Sequence, residues 1–248
     1  MRLDQALVAA HLCESRNEAQ ELILAGYALV DDIVTTKQTK QVLPNSKLEV
    51  TKKRQYVSRG GQKLYGVLLD VYGSSSAVFE AIKGISALDA GASTGGFTDC
   101  LLQNGASSVT AVDVGTAQIH EKLQGDPRVT IFENTDIRNF LTDKKFQVIV
   151  GDLSFIPLEK IFDTVLSFGT SGTNFFLLIK PQFEVGKGNT KKGVVKDELL
   201  INGVLLKYTA LAIERGLQDV EMFPCVIQGG NGNQEYFLYG TAPQVGSE

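Results

Sequence analysis

ISALDAGASTGGFTDCLLQNG, residues 85–105, holds a strand, a turn and a helix in succession. ISALDAG (85–91) is a short apolar run that reads as a buried strand, ASTGG is a glycine-rich turn, and GFTDCLLQNG (96–105) reads as a helix ending at glycine. Gly91, Gly95 and Gly96 have no Cβ, so the backbone can approach a ligand closely there. The unit is the opening of a doubly wound α/β sheet, in which ligands lie beyond the C-terminal ends of the strands.

Reading outward, the same alternation continues. SSVTAVDVG (107–115), RVTIFENTD (128–136), FQVIVGDLSF (146–155) and NFFLLIK (174–180) read as strands. LYGVLLDVYG (64–73), PLEKIFDTVLSFG (157–169) and DELLINGVLLKYTALAIERG (197–216) read as helices. DVEMFPCVI (219–227) and QEYFLYG (234–240) pair across the turn-rich QGGNGN as a closing hairpin. The expected fold class is α/β, a Rossmann-like doubly wound sheet, preceded by a small α+β unit.

An acid at the tip of the second strand, Asp113, stands 18 residues after Gly95 and can accept hydrogen bonds from ribose hydroxyls. Asp136, after the third strand, could receive an adenine amino group. The loop spells neither G-x-G-x-x-G nor G-x-x-x-x-G-K-[ST], so dinucleotide and P-loop readings are weaker. S-adenosylmethionine suits it better, having no pyrophosphate to aim at a helix N-terminus. The candidate cofactor contacts are Asp89, Gly91, Ser93, Thr94, Gly95, Gly96, Phe97, Asp113 and Asp136.

LLIKPQFE (177–184) raises a different question, because a core strand delivers Lys180 at its tip and then Pro181. Lysine is rarely buried without a partner. Asp152 lies at the neighbouring tip, in GDLSF. SRGGQKL brings Lys63 from the joint, and GNQEYF brings Glu235 from the hairpin loop. Two lysines and two acids beside that cofactor match methylation of a ribose 2′-hydroxyl. The hydroxyl is a poor nucleophile, so activation falls on it: an amine can take its proton or an ammonium can steady the developing alkoxide. Positioning for in-line attack supplies much of the rest. Pro181 then ends the strand at the site.

Residues 1–50 read as a separate α+β unit. RLDQALVAAHL (2–12) and SRNEAQELILAG (15–26) are helical, with Ser15 as N-cap, Glu18 completing a capping box and Gly26 as the stop. YALVDD (27–32) and KLEVT (47–51) read as strands. Net charge over the 248 residues is −4, yet residues 37–63 hold eight basic side chains against Glu49 alone. Lys187, Lys191, Lys192 and Lys196 cluster again beyond Lys180. Such stripes can contact phosphates without a basic isoelectric point. The stretch GKGNTKKGVV (186–195) is expected to be a mobile, RNA-contacting lid.

Residues 2–50 resemble the S4-type RNA-binding domain, and the whole chain resembles the TlyA-type ribosomal-RNA 2′-O-methyltransferases, whose catalytic part belongs with the FtsJ-like enzymes. The motifs VSRGGQKL, LDAGASTGGFTDCLL, AVDVG, GDLSFI, IKPQFEVGKG and GNQEYF carry this resemblance. It implies a catalytic tetrad of Lys63, Asp152, Lys180 and Glu235, S-adenosyl-L-methionine as cofactor, no metal, and cytidine in ribosomal RNA or ribosomal subunits as substrate. The family's joint tetrapeptide, often Arg-Ala-Trp-Val, is RQYV (54–57) here, with Tyr56 at the aromatic position. Candidate RNA contacts are Arg2, Ser15, Arg16, Lys37, Lys40, Lys52, Lys53, Arg54, Tyr56, Arg59, Lys187, Lys191 and Lys192. The expected division is an S4-like domain over 1–53, a basic linker over 54–62 and a methyltransferase domain over 63–248.

Other classes remain open at this point. A cytolysin, as the family's haemolysin name suggests, would want a membrane span or a basic amphipathic helix, and neither is evident. A non-catalytic assembly factor would have no reason to keep four converging charges. A base methyltransferase would favour Asn-Pro-Pro-Tyr where GDLSF stands. Hydrophobic residues at 43% and charged residues at 21% describe an ordinary globular chain. The N-terminus lacks signal-peptide features and Cys13, Cys100 and Cys225 form no CxxC, so a cytoplasmic protein is expected.

Overall fold

A computed structural model describes residues 1–24, 27–51, 55–154, 156–186, 188–229 and 232–244. The chain divides into two compact units, Met1–Ser58 and Arg59–Glu248.

In the first unit, helices α1 (Leu3–Ala9) and α2 (Arg16–Leu24) precede strands β1 (Ala28–Val30), β2 (Ile33–Val34) and β3 (Leu48–Val50). The strands form an antiparallel sheet in the order β2-β1-β3. The two-residue β2 was not expected from sequence. Leu3, Leu7, Leu22, Ile23 and Val30 fill a small core. Ser15 caps α2 by accepting from the Glu18 N–H at 3.2 Å, but the Glu18 carboxylate reaches back to the Glu14 N–H at 2.7 Å, one residue earlier than a standard capping box. Gly26 lies outside the described residues.

In the second unit α3 (Arg59–Tyr72) and α4 (Ser75–Ile82) come first, α4 capped by the Ser74 hydroxyl. Residues 59–62, assigned from sequence to the joint, are thus the first turn of α3. There follow β4 (Ser86–Ala90), α5 (Gly96–Gln103), β5 (Ser108–Val112), α6 (Glu121–Gln124), β6 (Val129–Phe132), β7 (Phe146–Gly151), α7 (Phe162–Ser167), β8 (Gly169–Ile179), α8 (Pro181–Glu184), α9 (Glu198–Glu214), β9 (Gln218–Pro224) and β10 (Tyr236–Thr241). The seven strands run in the order β6-β5-β4-β7-β8-β10-β9. β6 through β8 are mutually parallel, and β10 is antiparallel to both β8 and β9. Strand order reverses between β4 and β7, which opens a crevice at their C-terminal ends.

β8 shows why the sheet is covered on both faces. Phe175, Leu177 and Ile179 join the core built with Phe162 and Val165 of α7 and Tyr208 of α9. Phe176, one step out of phase, meets Tyr72 of α3 and Tyr239 of β10. A fully buried parallel strand must be apolar on both faces, hence the unbroken run FFLLI. Each such side chain contributes about 1.5–3 kcal/mol by leaving water. No helix among the described residues is long and apolar enough to cross a membrane.

Candidate active site

A cavity of about 470 Å³ opens at the tips of β4, β5 and β7. Gly91 and Ser93 form one wall, Asp113 and Gly115 the second, and Asp152, Leu153 and Ser154 the third. Gly91 has φ +83°, and a Cβ there would stand 2.7 Å from the Asp152 carbonyl oxygen, so both conformation and space demand glycine. The Asp113 carboxylate accepts from the Ser93 N–H at 2.8 Å and the Gly115 N–H at 2.7 Å. It ties the glycine turn to the loop after β5 and keeps lone pairs for a ligand.

Five of the expected cofactor contacts, the four that follow and Asp89, lie outside this lining. Thr94, Gly95, Gly96 and Phe97 do not line this cavity. Gly95 has φ +88° as the cap of α5, and a Cβ there would run into Leu123. Phe97 is buried and its ring lies tilted against that of Phe237, centroids 5.8 Å apart. Asp89 is fully buried and caps α5: its Oδ2 accepts from the Thr98 N–H at 3.0 Å and the Thr98 hydroxyl at 2.7 Å. Burial pushes its carboxyl up to about 7, against the opposing pull of the Thr98 hydrogen bonds. Its Oδ1 has no hydrogen-bond partner among the described residues.

Asp136 does line the cavity, yet Arg138 holds both its oxygens, with Nε at 2.9 and 3.1 Å, and its Oδ1 also accepts from the Arg138 N–H at 2.9 Å. The guanidinium keeps that carboxyl below its ordinary range. Its availability for an adenine amino group is therefore less than the sequence suggested. Glu133, which sequence reading missed, accepts from the N–H groups of Ala117 and Gln118 at 2.8 and 2.9 Å. Those bonds hold its carboxyl low and fix the loop that carries Gln118 to the cavity.

The fit to S-adenosylmethionine can be judged from these groups. Among the described lining residues Asp136 is paired with Arg138 and Asp152 with Lys180, which leaves Asp113 as the acid without an ion pair. The negative charge left on Asp113 suits a ligand bearing ribose hydroxyls and sulfonium and ammonium charges better than a pyrophosphate.

The four expected catalytic side chains gather near Cys225, and one of them, Asp152, lines the cavity. Lys180 follows the last residue of β8 and caps α8, with Pro181 in the first helical position, where a missing N–H costs nothing. Pro181 therefore starts a helical turn as well as stopping the strand. The Lys180 ammonium pairs with Asp152, donates to the Ser154 hydroxyl at 2.7 Å and lies 5.9 Å from the Phe183 ring centre. Lys63, from α3, pairs with Glu235 at 2.5 Å, and the two residues are 7% and 2% exposed. Glu235 also accepts from the Gln182 amide at 3.3 Å, two residues beyond Lys180. The buried Cys225 thiol is raised to about 12 by burial, and feels Lys63, Glu235, Asp152 and Lys180 together. Tertiary folding thus gathers all four around one spot. Glu184 secures it by accepting from the Leu158 N–H at 3.0 Å and the Tyr208 hydroxyl at 2.6 Å, joining the segments that follow Asp152 and Lys180 to α9. Ser154, Gln182 and Glu184 were missed, although each stands within four residues of a predicted one.

Among the expected RNA contacts, Arg2 and Arg16 converge on the fully buried Asp4, at 2.9 and 3.1 Å. Burial raises the Asp4 carboxyl, but hydrogen bonds from Gln20, Arg2 and Arg16 outweigh this and hold it well below its ordinary range. The Leu3 N–H donates to the Lys40 carbonyl at 2.8 Å, which brings Lys40 to the same edge. Ser15 is spent as a helix cap. Tyr56 is buried and its hydroxyl accepts from the Gln55 amide, so it is not a solvent-facing stacking platform here. Lys37, Lys191 and Lys192 are exposed, and Arg59 is half-buried at the start of α3. Lys52, Lys53, Arg54 and Lys187 lie outside the described residues. Among the described residues no cluster of His, Cys, Asp or Glu could hold a metal ion.

Comparison with known proteins settles the lineage. Residues 56–242 match the family described as FtsJ-like methyltransferase, and residues 1–48 match the S4 domain. The chain belongs to the FtsJ-like methyltransferase family. Within it, a relative from Mycobacterium tuberculosis, the 16S/23S rRNA (cytidine-2′-O)-methyltransferase TlyA, is 38% identical over 96% of this chain and 88% of its own length. Hemolysin A of Brachyspira hyodysenteriae is 35% identical over 96% and 99%. A solved Streptococcus thermophilus structure with a provisional hemolysin name covers 98% of this chain and 90% of its own, at 33% identity and a TM-score of 0.73. The FtsJ-like assignment spans the cavity and all four rim residues.

Proposed function

We propose that the protein transfers a methyl group from S-adenosylmethionine to the 2′-hydroxyl of a cytidine in ribosomal RNA, in the cytoplasm. The observation that carries this reading is the pair of lysine–carboxylate contacts, Lys180–Asp152 and Lys63–Glu235, at the rim of an acid-lined cavity. The cytidine and ribosomal components come from the TlyA relative.

S-adenosylmethionine bound in the cavity supplies an electrophilic methyl group. Gly91, Ser93 and Asp113 would hold it, with Asp136 and Arg138 also lining the cavity. Lys180 acts on the ribose hydroxyl. Asp152 and Ser154 engage its ammonium from the β7 side, which aims the rest of the group at the rim. There the ammonium can steady the oxygen as charge develops; only after giving up a proton could the amine take that of the hydroxyl. Lys63, held by Glu235, adds a second positive charge. Arg2, Arg16 and Lys40 of the S4 domain contact RNA phosphates, which positions the substrate without reading its sequence.

The test is transfer of labelled methyl to purified, unmethylated ribosomal subunits, with Lys180→Ala alongside. Label in the ribose of one cytidine, lost in the variant while cofactor binding persists, is the expected result. No label on either subunit despite RNA binding would favour a non-catalytic assembly role.

A further inference from the structure

The segment 186–195 was expected to be a mobile lid, yet its second half is built as a fixed hairpin. Lys191 and Val194 exchange two backbone hydrogen bonds, at 2.9 and 3.1 Å. Between them Lys192 has φ +54° and Gly193 φ +78°, the positive pair of a type I′ turn. A lysine held in the left-handed region persists only where its surroundings over-determine it.

Asn233 is that surrounding. It is 2% exposed. Its amide donates to the Gly193 carbonyl at 2.8 Å, and its side-chain oxygen accepts from the Val195 N–H at 3.0 Å. Its own carbonyl accepts from the Gly229 N–H at 2.9 Å. Val195 is buried, so the base of the hairpin is anchored by packing as well. Two residues further on is Glu235, the partner of Lys63. One short segment, 233–235, therefore holds both the hairpin and the rim carboxylate.

Resting on the RNA-methylation reading above, we propose that residues 191–194 are a preformed basic finger for the RNA phosphate backbone, and that Asn233 is the positioning residue that sets it beside Glu235. Lys191 and Lys192 are exposed, and neither makes an ion pair among the described residues. Two such lysines on a pre-ordered turn lose little conformational freedom when they meet phosphate. Because Asn233 also abuts the catalytic segment, a phosphate gripped by the finger is placed at a fixed offset from the rim.

The experiment measures RNA affinity against salt, together with kcat, KM for RNA and cofactor Kd, for wild type, Asn233→Ala, Asn233→Asp and the double variant Lys191→Ala/Lys192→Ala. Each phosphate contact to a single strand contributes about 0.7 to the logarithmic salt slope, so the double variant should lose about 1.4. Asn233→Ala should lower the slope similarly and raise KM for RNA several-fold, with cofactor Kd unchanged. Asn233→Asp keeps the acceptor for Val195 but turns a carboxylate oxygen on the Gly193 carbonyl, so it should lower the slope at least as far as Asn233→Ala. A wild-type slope in the double lysine variant overturns the finger. A cofactor-binding Asn233→Ala or Asn233→Asp with wild-type slope and KM overturns the positioning role. Wild-type enzyme that transfers no methyl to RNA would instead sink the preceding reading.

Discussion

Removing one member of the Lys63–Glu235 pair should cost far more than removing both. The ions stand 2.5 Å apart with residue exposures of 7% and 2%. At an effective dielectric constant of 20, their attraction is about 7 kcal/mol. Desolvation of each ion costs several kcal/mol, so the intact pair nets little stability. Glu235→Ala leaves the Lys63 ammonium buried with its main acceptor gone, a loss of about 3–5 kcal/mol. For a domain of this size each kcal/mol moves the melting temperature by about 2–4 °C, so the melt should fall by roughly 10 °C. Lys63→Met/Glu235→Ala removes both charges and should recover much of that loss, while remaining inactive. The assay is a double-mutant cycle of thermal unfolding on the full chain, with methyl transfer measured on each corner. Strict additivity of the two single losses would refute the argument, because it would mean that the two charges do not sense one another.

Two further outcomes follow from the cavity. Asp113→Ala should weaken S-adenosylmethionine binding at least tenfold by calorimetry, since a charged acceptor is worth about 1.5–3 kcal/mol per hydrogen bond; an unchanged Kd would put the cofactor elsewhere. Asp89 has its folded pKa raised to about 7 from 3.8, so it binds more protons folded than unfolded between those values, and stability from this group falls as pH rises through that window. Asp89→Asn should flatten the slope of melting temperature between about pH 4 and 7 and gain relative to wild type at pH 8; an unaltered slope would show that Asp89 ionises normally in the fold.

Much of the architecture was legible because burial leaves simple periodic marks. The run FFLLI reads as a doubly covered strand, and the glycine turn after LDA reads as a ligand approach. The tips of β7 and β8 could be set side by side because consecutive strands of such sheets are commonly neighbours. Less legible was the direction each loop residue faces. Thr94 adjoins Ser93 and Phe97 follows beyond the left-handed step at Gly95, yet neither lines the cavity. Asp136 was read as a free acceptor because Arg138, two residues away, gave no sign of folding back on it. The basic stretch 186–195 reads as a lid because glycine and lysine favour solvent, and its anchor, Asn233, lies some forty residues away.

By itself, then, the sequence determined the alternation of strand and helix, the glycine turn and the acid at the second strand tip. These rest on local rules, period and backbone freedom, that act within a dozen residues. Only the tertiary structure decided the pairing: Lys63 with Glu235 across 172 positions, Lys180 with Asp152 and Ser154, and Arg2 and Arg16 on Asp4. A charge leaving water must find a partner at hydrogen-bonding distance. Which partner it finds depends on where the sheet order and helix crossings place the backbone, and that information is not local.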